Sequence, residues 1–129
     1  MNDAIRNRVR TPHADFVPVC PVEALLPGRG AAALVDGRQV ALFRLPRGSI
    51  YAIGNHDPFS GANVLARGIV GDLRGELVVA SPMYKQHFSL VSGHCLEDDA
   101  VRVPVYPVRT LRGWVEVGSQ PLPDGKRVA

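Results

Sequence analysis

An all-β domain of short antiparallel strands is the fold class this sequence predicts, and three observations carry the expectation. Eleven prolines and thirteen glycines are spread along the 129 residues, which suits tight turns and excludes long helices. The apolar runs are brief and often alternate with polar residues, the pattern of half-buried strands. Asp36-Gly37 sits between two of those runs, and this pair favours the two-residue primed turn of a hairpin.

Taken in order, Phe16 to Cys20 alternates and reads as a first strand, with Pro18 suited to a sheet edge. Val22 to Leu26 is long enough for one helical turn, ended by Pro27-Gly28. Ala31–Val35 and Val40–Leu45 flank the hairpin turn, and Pro46-Arg47-Gly48 turns the chain into a strand at Ser49–Ile53. Further strands are expected at Gly68–Gly71, Glu76–Ala80, Gln86–Leu90, Val101–Val105 and Trp114–Val117. Residues 54–68 are long for a plain hairpin connection, and a loop of that length usually has a purpose or a structure of its own. Residues 1–14 and 119–129 lack periodicity and are expected to be loose tails around a single domain at 15–118.

Composition removes several function classes. The formal charge is +3, but the excess lies in the two ends, at Arg6, Arg8, Arg10, Lys126 and Arg127. Between them acids and bases balance, so no nucleic-acid face of clustered cations and aromatics is expected. No apolar run approaches the roughly 18–20 residues of a membrane span. The opening MNDAIRNRVRTPHADF has no apolar stretch behind its arginines and does not read as a secretory leader. Cys20 and Cys95 are far apart, without CxxC spacing; neither a disulfide framework nor a thiolate zinc site is expected, and a cytoplasmic setting is.

Two loops stand out. One is D-P-F-S-G-A, Asp57 to Ala62, and the other S-P-M-Y-K-Q-H-F-S-L-V-S-G, Ser81 to Gly93. Each follows a strand and holds a proline at its second position, Pro58 or Pro82. The pair resembles the Rieske iron–sulfur fold, whose cluster lies between loops of the form C-P-H-x-G-A and C-P-x-H-G-x-x-F-x-L-x-x-G. The likeness extends from Val40–Phe43 and Ile50–Ile53 to Val103–Val108 and Gly113–Val117, and so spans about residues 16–118. It implies a Rieske-like fold of antiparallel sheets carrying a loop subdomain. Laid on this sequence, the two Cys positions become Asp57 and Ser81, and the two His positions become Phe59 and Tyr84. The glycine after the second His becomes Lys85, while Gly61, Phe88 and Gly93 keep their places. A Rieske [2Fe–2S] centre takes two thiolates and two imidazoles. Hard oxygen donors suit it poorly and a phenyl ring offers no lone pair, so no cluster and no other cofactor is expected in this chain.

The strings DPFSGANVL, RGIVGD, ASPMYKQHF and GHCLED together resemble the small-subunit family of the assimilatory NAD(P)H-dependent nitrite reductases, a cluster-free branch of the Rieske fold. That resemblance implies an accessory, non-catalytic chain partnered with a large catalytic subunit. The large subunit is expected to hold FAD, a [4Fe–4S] cluster and sirohaem, and to carry six electrons from NAD(P)H to nitrite, giving ammonium. A stand-alone Rieske-type ferredoxin serving an oxygenase, and a free-standing β-sandwich binding module, are the competing classes.

Within the loops, His56 and His87 flank the former ligand positions, and with Asp57, His94 or Cys95 they raise the idea of a mononuclear metal site; hydrogen bonding to the loops is the plainer role. Tyr84 and Lys85 read less as an acid–base pair than as parts of a packed tip. Phe59 and Tyr84 are expected to fill the vacated cluster volume, and Asp57 and Ser81 to bind loop amides. Phe59, Met83, Tyr84 and Lys85 also have the aromatic, Met and basic character of a docking surface. Cys95, though beside His94, reads as a structural thiol, and Glu97-Asp98-Asp99 as a solvated acidic run. If the four substitutions alone removed the cluster, Asp57→Cys, Phe59→His, Ser81→Cys and Tyr84→His combined should restore some binding after anaerobic reconstitution; a protein that stays colourless would oppose this.

Overall fold

The computed structural model describes residues 15–123, and among them the chain forms three antiparallel sheets. The first joins β1 (Phe16–Pro21), β12 (Trp114–Gly118) and β11 (Val108–Leu111). The second runs β10 (Val105–Tyr106), β4 (Ile50–Gly54), β3 (Arg38–Arg44), β2 (Gly30–Val35). The third runs β5 (Ile69–Leu73), β6 (Glu76–Ala80), β7 (His87–Ser89), β8 (His94–Cys95), β9 (Asp98–Arg102). Among the described residues no helix is long and apolar enough to cross a membrane.

The middle sheet explains the continuous run Val40-Ala41-Leu42-Phe43, in which every residue is at most 1% exposed. Successive strand residues point to opposite faces. Val40 and Leu42 enter one core with Leu25, Val35, Val115 and Val117. Ala41 and Phe43 enter another with Ile53, Leu65, Val79 and Phe88. A strand buried on both faces reads as an unbroken apolar run. The sheet thus belongs to a sandwich on one side and supports the loop-bearing sheet on the other.

Local signals set the turns. Asp36 (φ 52) and Gly37 (φ 79) are both left-handed, as a primed turn between β2 and β3 requires. Pro18 lies on β1, an edge strand, as expected. The expected helical turn is a 3-10 turn at Val22–Ala24. The expected strand at Val101–Val105 is divided, because Pro104 has no amide to donate and β9 ends before β10 begins. The short strands β8 and β11 are additional to the expected set. Residues 54–68 hold structure of their own: a 3-10 turn at Leu65–Arg67 buries Leu65 and Ala66. The expected loose tail at 1–14 lies outside the described residues, as do 124–129 of the C-terminal one. Over 119–123 the chain is tied down: Ser119 N donates to Asp15 O at 2.8 Å and Leu122 N to Val105 O at 2.7 Å.

Gly93 has a strict backbone requirement. Its φ is +81, and a Cβ added there would fall inside the van der Waals shell of Val103 O. The contact belongs to the bond that Val103 N makes to Gly93 O at 2.9 Å, which ties the second loop's exit to the approach to β10. Gly93→Ala is therefore expected to cost about 3 kcal/mol or more, read as a lower midpoint in urea unfolding; a variant within about 0.5 kcal/mol of the parent would refute this.

Candidate functional site

The two loops share one construction. In the first, Asn55 leaves β4 nearly fully buried (3% exposed) and holds the loop from within. Its side chain accepts from Ala66 N at 2.7 Å and donates to Gln39 Oε1 at 3.0 Å. Asp57 N donates to Ala62 O and Gly61 N to Asp57 O, each at 2.8 Å, closing a tight turn. Asp57 Oδ1 accepts from Phe59 N at 2.8 Å. In the second loop Ser81 N donates to Gln86 O at 2.9 Å and Lys85 N to Ser81 O at 3.0 Å. Ser81 Oγ accepts from Met83 N at 3.2 Å. Each side chain thus bonds the amide two residues on, across its proline, the Asx- or Ser-turn habit of these residue types.

The loops are then joined to each other. Ser81 Oγ donates to Asp57 Oδ2 at 2.6 Å, and the two residues are 1% and 0% exposed. A hydroxyl-to-carboxylate bond of this length is charge-assisted. Burial alone would push the Asp57 carboxyl up, but hydrogen bonds from Ser81, Phe59 and Ser60 outweigh it and hold the pKa below the usual value. The two positions that carry thiolates in the cluster-binding pattern are here a buried acceptor and its donor.

The remaining expected site residues divide. Phe59 is half-buried and packs on the core, its ring centroid 6.2 Å from that of Phe88. Tyr84 does not fill the vacated volume: it is 59% exposed, because the turn from Ser81 to Lys85 carries it outward. Met83, at 49%, and Lys85 are exposed beside it. Lys85 occupies the position of the pattern's glycine and adopts the left-handed backbone itself, with φ 67.

His56 and His87 are bonded apart from one another. His56 Nδ1 lies 3.1 Å from Asn63 Oδ1 within the first loop. His87 Nδ1 lies 2.7 Å from Glu97 Oε2, while its backbone amide donates to Glu97 Oε1 at 2.8 Å. Burial opposes ionisation of Glu97, yet the amide and imidazole of His87, that imidazole's charge and the Cys95 thiol together lower its pKa. Cys95 is fully buried, and burial pushes its thiol up, as it does for Cys20; a raised thiol is a poor nucleophile. Among the described residues no three His, Cys, Asp or Glu side chains gather as a metal-holding group. Glu97, read from the sequence as one of three solvated acids, instead clamps β7 to the turn after β8. Asn55 carried no sequence signal beyond its place at a strand end.

The Rieske-like [2Fe-2S] domain family matches residues 15–118. The nitrite reductase (NADH) small subunit of Salmonella typhimurium is 44% identical over 100 residues, 77% of this chain and 93% of that protein. The chain belongs to the nitrite reductase small-subunit family. A solved structure from Mycobacterium tuberculosis, named for an NADH-dependent nitrite reductase small subunit, aligns with a TM-score of 0.77 at 50% identity. That alignment covers 88% of this chain and 96% of the other. In Klebsiella oxytoca, part of a nitrite reductase [NAD(P)H] large subunit is 39% identical over 111 residues, 86% of this chain and 12% of that subunit.

In this small-subunit chain the Asp57–Ser81 bond has a pH signature. In the folded chain the Asp57 carboxyl is held below the ordinary aspartate value by the donors around it. Its contribution to stability is therefore complete above the unfolded value and is lost as pH falls through the lower folded one. Asp57→Asn, which keeps an acceptor for Phe59 N but loses the charge, should cost about 1–3 kcal/mol near neutral pH. The gap to the parent should narrow as denaturation is repeated down to about pH 3; a pH-independent gap would show that ionised Asp57 is not the source.

Proposed function

We propose that this chain is the accessory, non-catalytic small subunit of a cytoplasmic NAD(P)H-dependent nitrite reductase serving nitrate and nitrite assimilation. In this reading it docks through its two-loop tip onto a large catalytic subunit. The large subunit carries FAD, a [4Fe–4S] cluster and sirohaem and performs the six-electron reduction of nitrite to ammonium; such cofactors, not side chains, supply that chemistry.

The observation that carries the proposal is the closed tip. Asp57, Phe59, Ser81 and Tyr84 offer neither thiolate nor imidazole, so the donor set does not suit a Rieske centre. What the loops retain is shape. The Asp57–Ser81 bond and the Phe59–Phe88 packing fix both loops, while Met83, Tyr84 and Lys85 stand outside them. An aromatic and a methionine held by a rigid support are the residue types that anchor protein interfaces, with a lysine suited to the rim. The Klebsiella oxytoca match supports the choice of partner, since there a sequence of this kind lies within a large-subunit chain.

Phe59 enters this proposal as support for the tip, because its ring is spent largely on the core. Met83→Ala with Tyr84→Ala should reduce recovery of the large subunit with tagged small subunit by about tenfold or more, with the variant's NMR spectrum otherwise that of the folded parent. Unchanged recovery would place the interface elsewhere. A visible spectrum with [2Fe–2S] bands and matching iron and sulfide would instead support the electron-carrier class.

A further inference from the structure

A cavity of about 560 Å³ opens beside the first loop, within the roughly 300–1,000 Å³ of small-molecule sites. Its walls come from the β2–β3 hairpin, the first loop and the junction of β9 with β10. None of Met83, Tyr84 and Lys85 lines it, so its occupancy is a separate question from tip docking.

The chemistry of the lining is one-sided. Arg38, Gln39, His56, Asn63 and Arg102 contribute polar groups, and no carboxylate is among the lining residues. Asp57, next in the chain to His56, has its carboxylate turned into the bond with Ser81. The amide acceptors are used inside the protein. Gln39 Oε1 accepts from Asn55 Nδ2 at 3.0 Å, and Asn63 Oδ1 is 3.1 Å from His56 Nδ1. A side-chain amide whose oxygen is held in this way has its NH₂ donors left for another partner. The Arg38 guanidinium donates through one Nη to Ser119 O at 3.3 Å and has further N–H groups, charged donors of the geometry that phosphate oxygens accept.

The rest of the wall is apolar, from Leu34 and the rings of Pro58 and Pro104, with Tyr106 buried at 5% exposure. Gly54 permits part of this wall, because a Cβ there would lie 3.0 Å from Pro104 Cγ, tighter than side chains tolerate without yielding. Donors together with an apolar surface suit a ligand that has an anionic head and a flat body. We infer that the cavity binds a small organic phosphate of mononucleotide size. Arg38, Gln39 and Asn63 donate to the phosphate, and the planar body rests on the Pro58 and Pro104 surfaces.

The test is NMR titration of the full isotope-labelled chain with AMP, inorganic phosphate and adenosine. AMP should shift amide signals confined to residues 37–39, 54–56, 63 and 102–103, and phosphate should shift the Arg38, Gln39 and Asn63 subset more weakly. Adenosine at the same concentration should shift none of them. Arg38→Gln should weaken AMP binding about tenfold. Asn63→Asp, which keeps an acceptor for His56 while adding a negative charge, should abolish it in a protein whose remaining spectrum is unchanged. No local response to AMP at about 10 mM, an equal response to adenosine, or shifts spread over Arg29, Arg47, Arg67 and Arg112 would each overturn the inference.

Discussion

The buried bond from Ser81 Oγ to Asp57 Oδ2, 2.6 Å long, is the constraint on which the tip depends. A metal cluster would cross-link the two loops through coordinate bonds. Here one charge-assisted hydrogen bond, worth about 1.5–3 kcal/mol in typical cases, joins side chains separated in the chain by the rest of the first loop and by strands β5 and β6. It suffices because little ordering is left for it to do. Asp57 O to Gly61 N and Ser81 O to Lys85 N already close each loop on itself, and Asn55 fastens the first loop to Gln39 and Ala66. A buried carboxylate with no donor would be costly; both oxygens of Asp57 have one.

That arrangement rests in turn on the middle sheet. β3 sends Leu42 into the sandwich core and Phe43 into the core beneath the loops, so the two halves of the domain share one strand. Phe88 is fully buried in the second core and meets Phe59 from below. The first loop is therefore supported from the sheet upward, and the second is held at its exit by Gly93 against Val103. Glu97 adds a clamp at the edge, joining His87 to the turn that follows Cys95. The fold retains the loops' spacing through packing and hydrogen bonding.

Much of this was legible in the residues, and the limits have physical causes. The hairpin at Asp36-Gly37 could be read because only certain residues accept two left-handed conformations in a row. The loop correspondence could be read because proline, Gly61, Phe88 and Gly93 mark fixed positions even where the former ligand residues differ. The pairing of Asp57 with Ser81 was half legible: both were expected to bind loop amides, but a bond across 24 residues of chain depends on tertiary apposition. Tyr84 misled because residue type suggests burial for an aromatic, whereas the turn that Ser81 begins decides which way its ring points. Division of the strand near Pro104 was foreseeable from the missing amide, yet the apolar run around it argued for continuity.

Lys85 brings these threads together. A left-handed backbone costs a side-chain-bearing residue roughly 1 kcal/mol more than glycine, and the cluster-binding pattern has glycine at this place. Here the conformation is kept, since Lys85 N must reach Ser81 O to close the turn, but the residue is a lysine with an exposed side chain. Internal packing cannot account for it, because the side chain is outside the loop core. The strain is tolerated where the surrounding bonds over-determine the turn, and the side chain it displays is exposed. Its neighbours Met83 and Tyr84 are exposed as well: the tip spends its interior on staying closed, and these three side chains are the ones the proposed docking would use.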